Sequence, residues 1–387
     1  MQGTKIASLD VHHTPSRASA GTHDWHLAGA LALPCFVDAH THLDKAYTLP
    51  RMGAVRPGLL GAIEALSADR ATWTAEDIRA RATRGLRAAW RAGTRRLRTH
   101  VDWDGPQAPP LAWHVLAEMA QAWRGHLDVD QVSLIKLPGF DSREQADALA
   151  RQVALTGPRA VLGAFVHSSN WRESALRHLL LAAQRWNLDV DLHVDEELDP
   201  RACGLATAAR IVREIGFANR LVCGHACALA AQDEDTALRT LDAVSGLPIT
   251  LVALPATNLL LQDAATGRTP RQRGLTLVHE ARARGIPVLL ASDNVQDPFC
   301  RLGSFDPLDT MAVGTLAGHL DSPFDRWSDS LCRGDWLERT AAAPPTLVGQ
   351  PADLVVFSQA DAWSWPAGGT SRTVLRGGRR QALETPA

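Results

Sequence analysis

The chain has 387 residues, 45% of them hydrophobic, and its 40 Lys and Arg against 42 Asp and Glu leave a formal net charge of -2. That length and apolar content suffice for one large core with a small appendage, while the balanced charge lacks the basic field that a phosphate backbone demands and argues against nucleic acid as a partner. No run of about eighteen apolar residues occurs, and the amino terminus lacks the basic, apolar and small-residue succession of a secretory signal, so the expectation is a cytoplasmic protein without a membrane partner.

Residues 1–33 carry mixed polar stretches, His12-His13 among them, with little periodicity until 27–33, and read as peripheral. From Pro34 onward short apolar runs alternate with segments of helical spacing, the pattern of βα units on a parallel sheet. Eight runs are predicted as strands, at 35–40, 96–101, 131–137, 160–166, 189–193, 220–225, 248–254 and 287–292, and eight is the number at which such a sheet closes. Between them, Thr74 ahead of Glu76 and Asp77 predicts a helix start, 78–90 carries apolar positions at helical intervals, and Gly93 supplies the stop. Helices are predicted on the same grounds at 174–186 and 275–284, the second stopped by Gly285. Ala343-Pro344-Pro345 then breaks the pattern, and 353–357 and 373–378 read as short strands. The expected fold is α/β: a TIM-type (β/α)8 barrel over 34–343, with a small β-sandwich appendage formed by 1–33 and 344–387.

Six cysteines, Cys35, Cys203, Cys223, Cys227, Cys300 and Cys332, are scattered through the chain and read as reduced. Cys223 and Cys227 bracket His225, but without a second cysteine pair they read as small buried hydrophobes rather than metal ligands. Only three lysines, Lys5, Lys45 and Lys136, stand among the basic residues.

Four predicted strands end in residues that bind metals or move protons. The first runs Phe36-Val37-Asp38-Ala39-His40-Thr41-His42. Alternation puts His40 and His42 on one face at the carboxyl end, where barrels carry their sites. Asp191-Leu192-His193 brings a third imidazole, and Glu196 follows three residues on, close enough to work on a metal-bound water without binding the ion. Cys223-Gly224-His225 adds a fourth imidazole, and Leu289-Leu290-Ala291-Ser292-Asp293 ends in a carboxylate. Three neutral imidazoles and one carboxylate suit one divalent ion per chain, Zn2+ or Fe2+, whose Lewis acidity lowers the pKa of bound water from about 15.7 toward 7. The hydroxide so formed is expected to attack an amidine-like ring carbon with Glu196 as proton shuttle. His225 would bond the water or the developing oxyanion, and Asp293 would both ligate and accept a proton. A two-metal site would want a bridging anion such as a carboxylated lysine on the fourth strand, which has no lysine; Lys136 lies on the third.

These stretches resemble the amidohydrolase superfamily, and within it the bacterial cytosine deaminase branch. The resemblance runs from about Pro34 to Leu320 and resumes at Gly349-Gln350-Pro351-Ala352-Asp353. It is densest at Arg98-Thr99-His100-Val101-Asp102, at His193-Val194-Asp195-Glu196, and from Gln272-Arg273-Gly274-Leu275 through Asp293-Asn294-Val295-Gln296-Asp297-Pro298. It implies His40, His42, His193 and Asp293 as metal ligands, Glu196 as shuttle and His225 beside the water. His100 and Asp102, which also belong to the shared pattern, would support the ligands from behind or form a buried hydrogen-bonded pair with no catalytic part. Since relatives are usually multimeric, a homo-oligomer is implied as well.

Three positions taken as substrate-facing depart from that branch. Gly139 stands where a glutamine reads the pyrimidine edge, Asn294 replaces a second aspartate, and Phe299 stands for a tryptophan. A site built on polar contacts discriminates strongly when they change, so cytosine is not the expected substrate. The Asp293-Asn294 pair is similar to that of N-isopropylammelide amidohydrolase, a triazine relative that lacks the glutamate retained here as Glu196. The expected function is therefore hydrolytic deamination of another small nitrogen heterocycle, such as a modified pyrimidine, a triazine, a pterin or a creatinine-like ring. Hydrolysis of a cyclic amide, or release of an alkylamine from a triazine, would use the same ion. A barrel that binds a ligand without turnover is the alternative of another class.

Overall fold

Each predicted apolar run from Cys35 onward forms a strand in the computed structural model, which describes residues 4–9, 25, 29–103, 108–339, 346–367 and 371–381. After β1 (Leu31–Pro34) come β2 (Phe36–Thr41), β3 (Thr94–Asp102), β4 (Asp128–Lys136), β5 (Ala160–Val166), β6 (Val190–Val194), β7 (Leu221–His225), β8 (Ile249–Ala253) and β9 (Val288–Leu290). Strands β2 to β9 lie in sequence order in one sheet, each parallel to the next. The ring closes at its carboxyl end, where Thr41 bridges to Asp293 and the Asp293 amide donates to the His40 carbonyl at 2.8 Å. Covered by helices outside and filled by side chains inside, such strands bury both faces, which is why β2, β6, β7, β8 and β9 are buried at every residue.

The helices are α1 (Leu59–Arg70), α2 (Ala75–Ala92), α3 (Leu111–Ala122), α4 (Arg143–Leu155), α5 (Glu173–Arg185), α6 (Gly204–Ile215), α7 (Glu234–Val244), α8 (Pro255–Leu261), α9 (Val278–Ala283) and α10 (Pro307–Gly318). For α2 the local signals hold at both ends: the Thr74 side chain accepts from the Asp77 amide, and Gly93 closes the helix at φ 105°. The helix expected at 275–284 is shorter, because only α9 is helical there. Gly274 sits at φ 70°, where a Cβ would run into the Gln262 side chain, so the chain arrives turned and Leu275 to Leu277 stay outside the helix. No helix among the described residues is long and apolar enough to cross a membrane.

The two chain ends share a second sheet, in the antiparallel order β1, β10 (Leu354–Phe357), β11 (Arg372–Arg376), β12 (Arg379–Arg380), and Lys5 bridges to Pro351 beside it. Arg95 to Asp353 at 3.1 Å and Arg372 to Asp306 at 2.9 Å pin this sheet to the barrel. The expected junction at 343–344 and the His12-His13 pair lie outside the described residues.

Candidate active site

At the carboxyl end of the barrel four side chains from three distant strand ends converge. His40 Nε2 lies 3.0 Å from His193 Nε2, which lies 3.3 Å from His42 Nε2. Asp293 Oδ1 stands 3.2 Å from His42 Nε2 and 3.6 Å from His40 Nε2. All four side chains are buried. Burial and the neighbouring imidazoles hold His40 and His193 well below the ordinary imidazole range, and burial with the Lys45 charge does the same for His42, so all three present neutral nitrogens. Three lone pairs and a carboxylate oxygen aimed at one point repel unless a cation sits among them. Bonds of about 2.0–2.1 Å to a tetrahedral zinc-sized ion would set neighbouring donors roughly 3.3 Å apart, close to the spacing here. The cluster therefore fits a divalent ion. The backbone is bent to make it: His225 and Asp293 both adopt positive φ, 71° and 61°, the kind of strain that persists at sites where the surroundings fix it.

The imidazoles are oriented from behind. His42 Nδ1 donates to the His100 carbonyl at 3.2 Å, which leaves Nε2 to face the cluster. The His100 ring packs on that of His40 with centroids 3.9 Å apart, and its Nε2 stands 3.1 Å from Asp191 Oδ1. Asp191 Oδ2 in turn accepts from Arg98 Nη1 at 2.9 Å. Gly224 leaves room for the His40 ring, since a Cβ there would sit 2.8 Å from its Cε1 and 2.9 Å from its Nδ1. Asp38 accepts from the Ser292 amide at 3.0 Å and so ties β2 to the chain entering Asp293.

Glu196 and His225 face the same space. Glu196 Oε1 is 3.4 Å from His225 Nδ1, and Asn258 Nδ2 is 3.1 Å from the same nitrogen. Burial, with the Asp293 charge nearby, lifts the Glu196 carboxyl well above the usual carboxylate range, so it holds a proton readily. Burial pushes the His225 imidazole down to about 4. Cys223 and Cys227, whose thiols burial pushes well above their usual range, remain protonated and offer no thiolate; all six cysteines are free.

His42, His193, Glu196 and His225 line a pocket whose wall brings together residues of very different sequence position. Asn294 and Phe299 line it, held by Asp297, which accepts from Asn294 Nδ2 at 2.7 Å and from the Phe299 amide at 2.9 Å. Gly139 does not join them: a Cβ at that position would meet Ile135 and Leu149 in the core, while Lys136, just before the same turn, lines the pocket. His100 stands behind the His40 ring, whereas Asp102 lies in the pocket wall, paired with Lys45 at 2.9 Å and Arg70 at 3.1 Å. Sequence reasoning missed Lys45, Arg70, Asp191 and the whole of α1, whose Leu59, Ile63 and Leu66 cover the pocket. The signal available for Lys45 was its rarity, one of three lysines, three residues beyond the His-x-His pair.

Comparison with known proteins agrees with this geometry. The family model described as "Amidohydrolase family" matches residues 45–338. A pterin deaminase of Rhizobium rhizogenes is 38% identical over 373 residues, spanning 93% of this chain and 84% of that protein. An N-isopropylammelide isopropyl amidohydrolase of Pseudomonas sp. is 25% identical over 339 residues, spanning 85% and 80%. Among solved structures, 5-methylcytosine deaminase from Klebsiella pneumoniae, liganded with phosphonocytosine, superposes with a TM-score of 0.80 at 26% identity, over 100% of this chain and 94% of that one.

Proposed function

We propose that this chain, which belongs to the amidohydrolase family and is a metal-dependent deaminase of a heterocycle, removes the exocyclic amine of a 2-amino-4-oxopteridine or a closely similar fused ring. The observation that carries this reading is Glu196: a buried carboxyl, raised by that burial above the usual carboxylate range, 3.4 Å from His225 and facing the ligand cluster, where a leaving amine must be protonated. His40, His42, His193 and Asp293 would hold one divalent ion, Zn2+ or Fe2+, which when bound supplies the Lewis acidity that makes a water nucleophilic at neutral pH.

The chain's own groups do the rest. Water forms a C–O bond at the amidine carbon, the exocyclic C–N bond breaks, and ammonia leaves with the carbonyl product behind. Glu196 moves one of the water's protons to the ring nitrogen and the other to the departing amine. His225, neutral at physiological pH, donates to the oxygen on which negative charge develops. Leu59, Ile63, Leu66, Trp103 and Phe299 make flat apolar walls suited to a fused ring, and the 38% identity to a pterin deaminase supports a pteridine over a single ring.

Ammonia release by the metal-loaded protein from pterin, cytosine, 5-methylcytosine and creatinine tests the reading directly. Pterin is expected to give ammonia and the 2,4-dioxo product, and Glu196→Gln to lose at least about 100-fold in kcat while keeping the metal content of the unaltered protein. Failure of every aminated ring to release ammonia would refute it.

A further inference from the structure

Lys45 neither faces the ligand cluster as a donor pair nor moves a proton in this scheme, yet its side chain is only 5% exposed, in the pocket wall. An ammonium carries three donors and no acceptor. One goes to Asp102 Oδ1 at 2.9 Å, and the other oxygen of Asp102 accepts from Arg70 Nη1 at 3.1 Å. The carboxylate is thus engaged on both sides and fixes the ammonium in place without absorbing its remaining donors. The Phe299 ring lies 5.5 Å from Nζ, an apolar neighbour that offers a π face but no lone pair. Leaving charged donors unmet in a buried wall is costly unless a ligand meets them.

Two further observations point the same way. Lys45 lines the same pocket as His42, His193, Glu196 and His225, which places it at the reacting end. Lysine is also rare in this chain, three residues among 40 basic ones, and two of the three, Lys45 and Lys136, line this pocket. A compact point charge on a flexible stem suits a single carbonyl oxygen, whereas the planar fork of arginine suits carboxylate or phosphate.

We propose that Lys45 is a specificity-determining residue, donating to an oxo group on the ring that carries the amine, so that the substrates are amino-oxo heterocycles and not simply aminated ones. The inference rests on the deaminase reading and narrows it. Asp102 and Arg70 are positioning residues in this arrangement: they hold the ammonium, and the ring does not need to touch them.

Pterin and 2-aminopteridine test it, because they differ at C4, where the first carries the oxo group with its accompanying ring proton and the second only hydrogen. The unaltered metal-loaded protein is expected to favour pterin in kcat/KM by at least about 100-fold. Lys45→Met, which keeps the apolar stem, is expected to erase that preference by losing pterin turnover while retaining the ion. Equal turnover of the two rings by the unaltered protein overturns the inference, as does a Lys45→Met protein that keeps its ion and either slows both rings by one factor or leaves pterin untouched. Should Lys45→Met fail to fold or to hold the ion, Asp102→Asn takes its place. It is expected to raise KM for pterin and leave that for 2-aminopteridine alone, and an equal effect on both rings counts against Lys45. Ammonia from neither ring, nor from any other aminated ring, would overturn the deaminase reading instead, and the two failures are thereby told apart.

Discussion

Gly224 shows how a residue without a side chain fixes the geometry of one that has chemistry. Its Cα faces the His40 ring, and an added Cβ would stand 2.8 Å from Cε1, a separation that forces the imidazole to swing away from His193 and Asp293. Gly224→Ala is therefore expected to lower metal affinity by at least about 10-fold, read as metal content after dialysis against a buffered chelator, with activity restored by excess ion. A second residue-scale test concerns Asp191, which joins Arg98 at 2.9 Å to His100 at 3.1 Å in full burial. Asp191→Asn leaves the Arg98 guanidinium without its carboxylate partner and is expected to cost about 3 kcal/mol of stability, measured by urea denaturation, together with weaker metal retention. Unchanged stability would mean that Asp130, 4.0 Å from Arg98 Nε, takes over. The convergence of His40, His42, His193 and Asp293 was legible because each ends an apolar run, a signal local to a few residues. Asp191 and the Lys45–Asp102 pair were not, because their meaning lies in partners that the fold supplies from distant strands.

Helix α2 links packing to the pocket at the scale of a single element. Arg81, on its inner face, donates through Nη1 to the carbonyls of Asp44 and of Ala46, the latter at 3.1 Å, and is itself held by Asp77 at 2.8 Å and by the Trp73 ring. The turn that carries Lys45 is thus clamped from both sides by one guanidinium. Lysine cannot span two carbonyls and a carboxylate from a single ammonium in the same way. Arg81→Lys is expected to destabilise the fold by about 2 kcal/mol and to lower kcat/KM more than kcat, since the clamp positions a binding group; steady-state kinetics beside a denaturation curve would check both. The course of α2 was readable from Thr74 to Gly93 because capping is a local matter. Helix α1 was not, and the reason is physical: Leu59, Ile63 and Leu66 face the pocket while Leu60 stays 56% exposed, so no clean stripe separates an inner from an outer face. It covers a ligand pocket and not the barrel, and a sequence pattern tuned to core burial does not find it.

At the scale of the whole molecule, the ion site and the closure of the barrel are the same structure. The ring of strands meets itself where β2 adjoins the chain leaving β9, through one bridge at Thr41 and Asp293, the Asp293 amide on the His40 carbonyl, and Asp38 on the Ser292 amide. His40 and His42 come from one side of that seam, Asp293 from the other, and His193 from β6 across the barrel. The eight strands could be anticipated because buried parallel strands are near-continuous apolar runs, but the thinness of this last pairing could not, since β9 is only three residues long. An ion bound to all four groups would staple the seam, while without it three neutral imidazoles and a buried carboxylate face one another with nothing to offset their desolvation. Chelation is accordingly expected to lower the unfolding temperature, with a stability loss of about 4 kcal/mol when the free ion had stood at 1,000 times its dissociation constant, and to raise amide exchange first along β2 and β9. Remetallation should restore both. Loss of the ion with no change in unfolding temperature, or exchange that rises evenly round the barrel, would separate the site from the closure and leave the seam to its hydrogen bonds alone.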